Sequence, residues 1–394
     1  MGLQMRFMGS ESLKMQPHQF TNGLIHAMTF RALARIIPLL GLSMVSLTTH
    51  ADFQRGYVSM VGSSTVVPFA KASADRFAKG GRFHEALIQA SGTGGALALF
   101  CESLGAEAPD VALASRAIKT REKDACSRNG IGEVVELKIG YDALILVQSR
   151  KVEPWSLTSK EARLAFAKWL AQPDGTMSLN PNHTWKDVRD TLPAEPIAIM
   201  GPPITSSSYD AFIDLISELE CKQAPWVPAG AKEATPDLLH KCRSVREDSV
   251  YREGDDDAHI ALIASASHPE VGVFGYKLLQ DHLKEVHAIP IDGVEPTYAN
   301  ISSDTYSGAR PLYLYVKASA ISRTPGLKEF LSEVVSEKSW GENGYLRKAG
   351  LITLPASERD AIVSKLRAYG INPSLAPAND VAPTKSGAGK KGKK

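Results

Sequence analysis

Three short loops rich in serine, threonine and glycine each lie between an apolar run and a helix-like run. A helix N-terminus presents backbone N–H groups without intrahelical partners and the positive end of the helix dipole, so it attracts an anion. Hydroxyls add neutral donors, and glycine lets the backbone approach a ligand closely. One such loop is most often an N-cap. Three in one chain indicate a cage for a small oxyanion, and the loops are Gly62-Ser63-Ser64-Thr65, Ser91-Gly92-Thr93-Gly94-Gly95 and Thr205-Ser206-Ser207-Ser208.

Alternating strand-like and helix-like runs must hold these loops in place. The alternation predicts an α/β architecture with largely parallel sheets. In such folds a ligand binds beyond the carboxyl ends of the strands, where loops enter helices, and each hydroxyl loop lies at such a junction. The pattern predicts strands at 57–61, 87–90, 111–114 and 196–200, two separate strands at 134–138 and 144–147, and a helix from the capping box at Thr158 to Leu170.

The first 51 residues have the three-part pattern of a secretory signal peptide. Arg31 and Arg35 precede a mostly apolar stretch at 36–47, and Thr49-His50-Ala51 resembles a cleavage site. A retained membrane anchor is the alternative, but a stretch of 12 residues is short for a bilayer-spanning helix. We therefore expect residues 1–51 to be removed on export, with Met28 as the true start of the chain.

The C-terminal segment 376–394 is rich in lysine and contains almost no large apolar residue, so we expect it to be disordered. It carries five lysines against one aspartate, and residues 1–51 carry four basic residues against one glutamate. The formal charge of +2 for the whole chain therefore leaves residues 52–375 near −5. No basic stripe interleaved with aromatic residues occurs there, which argues against a nucleic-acid partner. The tail is expected to be solvated, with weak attraction to an anionic surface as the alternative.

Four cysteines occur, all in the body of the chain: Cys101, Cys126, Cys221 and Cys242. An even number of cysteines in an exported protein indicates disulfides. Three pairings are possible, and the short spacings favour Cys101–Cys126 and Cys221–Cys242. Metal binding is the alternative, but no CxxC or closely spaced Cys/His pair supports it. We expect no metal and no cofactor.

Seven segments, in this order and spacing, resemble one protein family: VGSSTVVPFA, SGTGGALALFC, PDVALASRAIK, IGYDALILV, GPPITSSSYDAF, GVEPTYANI and RPLYLYVK. They are similar to the substrate-binding protein of the high-affinity phosphate ABC transporter. The similarity extends from about Gly62 to Leu354 and is greatest to the branch that carries the segment GPP-x-TS.

The resemblance implies a two-lobed periplasmic-binding-protein fold of the Venus flytrap type (type II). One lobe would comprise residues 52–143 and 312–375, and the other residues 144–311. A phosphate ion would lie in the cleft, and the closed, monomeric protein would deliver it to an ABC transporter permease in the inner membrane. The implied location is the periplasm.

The resemblance also assigns the phosphate ligands. Thr65, Thr93 and Ser206 match the hydroxyl residues of the family's three loops, with neighbouring residues beside them. The implied phosphate-binding residues are Ser64, Thr65, Thr93, Gly94, Ser115, Arg116, Ser206, Ser207, Ser208 and Tyr209.

Two positions depart from the pattern of the best-known members. Tyr209 replaces an arginine, so the site is one positive charge short, and Ser207 replaces a glycine. Arg116 stands where those members have a carboxylate that accepts the phosphate proton and helps to reject sulfate. Arg116 would supply a bidentate cation instead. The missing acceptor would then come from elsewhere, with Glu247, Asp248 and Asp142 as candidates.

Other functions find less support in the sequence. The chain contains no GxSxG nucleophile motif and no GxxxxGK[ST] phosphate loop, so we expect no enzymatic activity. The hydroxyl residues could be plain N-caps, and Arg116 could be the partner in a surface ion pair. A diverged oxyanion sensor, scavenger or adhesion protein on the same fold is the alternative function.

Overall fold

The computed structural model describes residues 55–376, apart from positions 80, 173, 175, 218, 219, 224, 249, 250 and 255. The expected signal peptide, Met28 and the lysine-rich segment from 377 onward lie outside the described residues. None of the described helices has the length and apolar composition needed to cross a membrane.

The described part of the chain is an α/β structure with eleven strands, which confirms the predicted fold class. Nine of the strands form one continuous sheet in the order β2-β1-β3-β11-β4-β9-β7-β8, with β10 also paired to β4, and β5 and β6 form a separate hairpin. The strands are β1 Ser59–Gly62, β2 Leu87–Ala90, β3 Val111–Ala114, β4 Val134–Ser149, β5 Trp169–Ala171, β6 Met177–Leu179, β7 Ile199–Gly201, β8 Tyr251–Glu253, β9 Val271–Gly275, β10 Val286–Ala288 and β11 Ala309–Lys317.

Helices connect these strands and cover the sheet. Apart from three short 3₁₀ turns, the described helices are α1 Val67–Ala78, α2 Gly92–Phe100, α3 Thr120–Arg128, α4 Ser159–Phe166, α5 Trp185–Val188, α6 Ser207–Ser217, α7 Pro236–Cys242, α8 Asp256–Ser265, α9 Tyr276–Asp281, α10 Tyr298–Ser302, α11 Ala318–Arg323, α12 Leu327–Val334, α13 Glu337–Trp340, α14 Tyr345–Lys348 and α15 Ala356–Leu366.

Strand β4 corrects the expectation of two separate strands at 134–138 and 144–147. It runs without interruption through the intervening residues, of which Tyr141 and Ala143 are buried. Residues 134–143 pair with β11, whereas residues 144–147 pair with β9. One long strand is therefore shared by two groups of strands, and no loop separates them at this crossing.

The expectation of largely parallel sheets is correct on each side but wrong in the middle. Strand β1 is parallel to β2 and β3, and β7 is parallel to β8 and β9. Strands β11 and β4 are antiparallel to their neighbours. The reason is that the chain crosses from one group to the other and returns, which the local alternation of strands and helices does not reveal.

The strand directions place the loops. Strand β3 runs opposite to β11 and β11 runs opposite to β4, so β1 and β3 run in the same direction as β4. On the other side, β9 runs opposite to β4, and β7 and β8 follow β9. The carboxyl ends of β1 and β3 therefore point toward those of β7 and β8 across the place where β4 changes partners. We call this place the junction.

Helix α4 ends earlier than its sequence pattern predicts. The pattern continues to Leu170, but the helix ends at Phe166, and residues from Trp169 onward form β5. The Asn180 amide nitrogen donates to the carbonyl oxygens of Leu164 and Ala167, both at 2.8 Å. This distant side chain satisfies the last carbonyls of the helix, so tertiary contacts determine where it ends.

The close approach of β1 to β3 requires glycine at position 62. A Cβ placed on Gly62 would lie 2.2 Å from the carbonyl oxygen of Leu113 and 2.6 Å from its Cα. The next residue, Ser63, donates its backbone N–H to the same carbonyl oxygen at 2.9 Å. The first hydroxyl loop is therefore fixed to β3 by backbone contacts that allow no side chain.

We predict that Gly62→Ala destabilises the protein by about 1–3 kcal/mol, because the added methyl group meets backbone atoms that cannot rotate away. Urea unfolding measures the loss. Gly105→Ala is the control, since the nearest atom to its added Cβ would be Ser103 Oγ at 3.6 Å on the exposed surface. Equal unfolding free energies for the two variants would contradict this explanation of the loop's geometry.

Candidate oxyanion site at the junction

The first hydroxyl loop connects β1 to α1. Ser63 is buried, and its Oγ accepts the backbone N–H of Thr65 at 3.3 Å. Ser64 is exposed and Thr65 is half-buried, both just before the first turn of α1. The loop therefore turns Ser63 inward and leaves Ser64 on the surface of the junction, with Thr65 partly covered beside it.

The second hydroxyl loop is fixed to the end of β3 through its threonine. Ser91 precedes α2, so Thr93 and Gly94 belong to the first turn of that helix rather than to a loop before it. Thr93 Oγ1 accepts the Ser115 backbone N–H at 3.0 Å and lies 3.1 Å from Ser115 Oγ. A hydroxyl oxygen that accepts a hydrogen bond still carries its own hydrogen. These contacts therefore fix the oxygen positions and leave the pair able to donate.

Arg116 lies beside this helix turn. A Cβ placed on Gly94 would be 3.9 Å from Arg116 Nη2, an ordinary van der Waals distance, so the guanidinium lies next to this helix turn. Two bonds of 2.7 and 2.9 Å join the guanidinium to Glu122, and Nη1 also donates to the Ala117 carbonyl at 3.0 Å. Arg116 is thus in an ion pair, which is the alternative role considered for it from the sequence. This pair holds the guanidinium beside the second loop.

Glu122 is the partner that holds Arg116, and the sequence reading did not select it. The Glu122 side chain is only 13% exposed, and it also accepts the Lys119 backbone N–H at 2.8 Å. Burial alone would raise the pKa of Glu122, but the hydrogen bonds from Arg116 and Lys119 outweigh burial and hold the pKa below its ordinary value. The spacing of Lys119 and Glu122, which matches the glutamate position of a capping box, was the available signal.

The first disulfide joins α2, which carries Thr93 and Gly94, to α3, which carries Glu122. Both disulfides expected from the cysteine spacing are present. Cys101 at the C-cap of α2 is bonded to Cys126 in α3, and the Asn129 amide nitrogen donates to the Cys101 carbonyl at 2.8 Å. The other disulfide joins Cys221 to Cys242 at the end of α7.

The third hydroxyl loop leads from β7 into α6, which begins at Ser207. Ser206 Oγ accepts the Tyr209 backbone N–H at 3.1 Å, so Ser206 caps the helix as its alternative interpretation predicted. The Ile204 backbone N–H donates to Glu253 Oε2 at 2.9 Å. Ser208 is half-buried in the first turn. A carboxylate that the sequence reading did not select therefore contacts this loop.

Tyr209 packs as an aromatic side chain at this loop. Its ring meets the Tyr251 ring edge-on, with centroids 5.7 Å apart, and the Tyr251 hydroxyl donates to the Pro202 carbonyl at 2.6 Å. Burial is the main cause that raises the pKa of Tyr209, followed by the negative charges of Glu247 and other carboxylates. Tyr209 is therefore neutral at physiological pH, and it supplies no positive charge where the family pattern has arginine.

The three candidate proton acceptors are each in an ion pair. Glu247 pairs with Lys168 at 2.9 Å and is 79% exposed, and Asp248 pairs with Arg246 and is 52% exposed. Asp142 is only 19% exposed and pairs with Arg310, which lies opposite it on β11. Of the three, Asp142 lies on the strand that crosses the junction.

A cavity of about 700 Å³ lies elsewhere, beside β10 and α9, and is lined by residues such as Trp155, Tyr276, His287 and Tyr298. No described residue of the three hydroxyl loops lines this cavity. The described residues also contain no group of three or more His, Cys, Asp or Glu side chains that could hold a metal ion. The chemistry of the hydroxyl loops and Arg116, rather than cavity size, identifies the junction as the candidate site.

The chain is similar to known proteins over most of its length. Residues 47–338 match the PBP superfamily domain. Protein SphX of Synechococcus elongatus is 27% identical over 85% of this chain and 90% of its own length. The phosphate-binding protein PstS of Staphylococcus saprophyticus is 26% identical over 79% of this chain and 84% of its own length.

Solved structures show the same architecture. The crystal structure of "a possible phosphate binding protein" from Planctomyces limnophilus has a TM-score of 0.63 and 26% identity, over 80% of this chain and 99% of the other. An ABC-type phosphate transport receptor from Vibrio cholerae has a TM-score of 0.54 over 76% of this chain and all of the other. Its identity of 17% supports the fold alone. The two-lobed fold expected from the sequence is thus confirmed.

The lowered pKa of Glu122 predicts a pH-dependent contribution to stability. A carboxylate with a depressed pKa stabilises the folded state above its unfolded pKa, and this stabilisation is lost as the pH falls through the folded pKa. The difference in unfolding free energy between the unsubstituted protein and Glu122→Gln should therefore be full above pH 4.5 and shrink below it. Urea unfolding across this pH range measures the difference.

The same substitution in an Arg116→Ala background provides the control, because the guanidinium is then missing from both proteins. The difference should be smaller there and depend less on pH. A difference that stays constant down to the acid limit of folding would contradict the pairing.

Proposed function

The chain belongs to the PBP superfamily, and on that premise we propose that it captures inorganic phosphate and delivers it to an ABC-type permease. The observation that carries the proposal is that the strands before the three hydroxyl loops and before Arg116 run toward one junction between two groups of strands. The relatives that match most of the chain include proteins named as phosphate-binding.

The donors fit a small oxyanion. A dehydrated anion needs a hydrogen-bond donor for each oxygen lone pair that it exposes, because an unsatisfied buried charge is strongly unfavourable. Helix N-termini follow all three loops, and hydroxyls at Ser64, Thr93 and Ser206 lie beside them. Arg116 adds a charged fork that matches the geometry of two oxyanion oxygens.

Binding would close the two lobes around the anion. We place one lobe at residues 52–143 with the C-terminal part of the body to 375, and the other in the middle of the chain. The support for this division is the pairing of Ala309, at the start of β11, with Ala143 of β4, which is consistent with a second crossing close to residue 312 and a middle lobe of residues 144–311. Strands β4 and β11 form the hinge, and closure brings the loops of both lobes onto one ligand.

The location and partners follow from the same proposal. The signal-peptide pattern of residues 1–51 supports export, and we place the mature protein in the periplasm. Both disulfides suit that oxidising compartment. A permease in the inner membrane would recognise the closed, monomeric protein. Binding and release need no activated nucleophile, so no enzymatic activity is proposed.

The third loop favours one alternative, an oxyanion sensor or scavenger without a transport role. Glu253 already accepts a backbone N–H of this loop, and Tyr209 brings no cation. A weakened site would suit a protein that responds only to abundant anion. Growth on limiting phosphate separates the two functions, since only the transport function requires this chain for uptake.

We predict that Arg116→Ala weakens phosphate binding by at least tenfold. Each charge-assisted hydrogen bond contributes about 1.5–3 kcal/mol, and 1.4 kcal/mol corresponds to a factor of ten. Calorimetric titration of the phosphate-free protein measures the change. Arg121→Ala removes an exposed arginine from α3, the helix that carries Glu122, and should bind as the unsubstituted protein does. Equal affinities for the Arg116 and Arg121 variants would refute the assignment of Arg116.

The first disulfide provides a second prediction, because it connects the helix of Thr93 to the helix of Glu122. Replacing either cysteine pair with serine should lower the free energy of unfolding by about 3 kcal/mol. The two losses should be similar, because the disulfides close chain segments of similar length, with sequence separations of 25 and 21 residues. Only the Cys101/Cys126 variant should also lose phosphate affinity, because, of the two disulfides, only this one joins the helix of Thr93 to the helix of Glu122, which holds Arg116. Thermal unfolding and titration of both variants test this. An equal change in affinity would show that the effect is a general loss of stability.

A further inference from the structure

A divalent oxyanion at the junction would meet one side-chain cation in the residues assigned so far. That cation, Arg116, is already paired with Glu122, so part of its charge is compensated. Tyr209 is neutral where the family pattern has arginine. The charge needed to hold a desolvated phosphate must therefore come from another residue near the third loop.

Arg310 lies at the place where such a charge is needed. It is the second residue of β11 and lies opposite Asp142. The next residue of β4, Ala143, is the last one that pairs with β11, and from Leu144 onward β4 pairs with β9. Its side chain is 14% exposed and pairs with the Asp142 carboxylate. A guanidinium has five N–H donors in a planar fork, so one arginine can contact a carboxylate and an oxyanion at the same time.

The charge of Arg310 acts on the helix that follows the third loop. Asp210 lies in the first turn of α6, and α6 packs against β4 and β9. Burial and the neighbouring Asp214 raise the pKa of Asp210, while Arg243 and Arg310 oppose that rise. The Arg310 guanidinium therefore acts on the same helix turn that follows Ser206, from the hinge side of the junction.

Arg243 provides the contrast. It also acts on Asp210, but it is 36% exposed and pairs at 2.8 Å with Asp214, one turn further along α6. Arg243 follows α7 in the middle of the chain, whereas Arg310 lies on a strand that connects the two lobes. The two arginines thus share a neighbour and differ in their position relative to the junction.

We propose that Arg310 is a direct ligand of the bound oxyanion, and that Asp142 holds its guanidinium in position. The inference rests on the proposed phosphate-binding function and adds a residue to that site. Arg310 supplies, from the hinge, the cation that the third loop lacks. The anion then lies between Arg116 on one lobe and Arg310 at the hinge, with hydroxyl donors around it.

Titration of the purified protein with inorganic phosphate tests the proposal in four forms: unsubstituted, Arg310→Gln, Asp142→Asn and Arg243→Gln. Arg310→Gln should lose at least a factor of about ten in affinity, equivalent to one charge-assisted hydrogen bond. Arg243→Gln should bind as the unsubstituted protein does. Asp142→Asn should lose much less than Arg310→Gln or bind more tightly, because it keeps the cation and removes a negative charge near the anion.

A purely structural hinge pair would give a different pattern. Breaking such a pair from either side removes the same contact, so equal losses for Arg310→Gln and Asp142→Asn would overturn the proposal. Unchanged affinity for Arg310→Gln would overturn it as well. If the unsubstituted protein binds no phosphate, the proposed function itself fails, and this failure is distinct from the other two.

Arg310→Lys covers the case in which the glutamine variant does not fold, because it keeps the charge at the hinge. Lysine cannot present the planar fork, so affinity should fall while the melting temperature without phosphate stays close to that of the unsubstituted protein. Unchanged affinity in a folded Arg310→Lys protein, together with unchanged chemical shifts of the Arg310 Nε–H on adding phosphate to the unsubstituted protein, would overturn the proposal.

Discussion

The direction of β4 determines where the candidate site can form. Because this one strand pairs with β11 over its first part and with β9 over its second, the strands on either side run toward each other. The carboxyl ends of β1 and β3 point toward those of β7 and β8, so loops separated by more than a hundred residues are directed toward one junction. Every donor assigned to the site depends on this arrangement, because the same strand connects the two groups of strands.

Short contacts orient the donors before any ligand arrives. Thr93 Oγ1 accepts a backbone N–H from Ser115, and Ser206 Oγ accepts one from Tyr209. Each accepted bond fixes an oxygen and leaves its hydrogen to point elsewhere. Arg116 is fixed in the same way by Glu122. A site prepared in this manner loses little side-chain entropy when it binds, which leaves more of the interaction energy for affinity.

Sequence reasoning located the elements whose signals are local. Strands β2 and β3 begin and end at the predicted residues, because turn residues flank short apolar runs. It failed where long-range contacts determine the extent of an element. Strand β4 continues through 139–143 because β11 and then β9 pair with it. The pair between Asp142 and Arg310 joins residues 168 positions apart, so no local pattern could indicate it. Ser64, Thr93 and Arg116 remain predicted ligands, and each lies within three residues of the end of a strand.

The central claim is that this junction binds inorganic phosphate. Calorimetric titration of the purified, ligand-stripped protein with phosphate and then with sulfate tests it most directly. The account predicts one phosphate per chain, bound at micromolar or lower concentration, with sulfate bound more weakly. The absence of a binding signal with phosphate would contradict the account, and would mean that the changed third loop has given the fold another role.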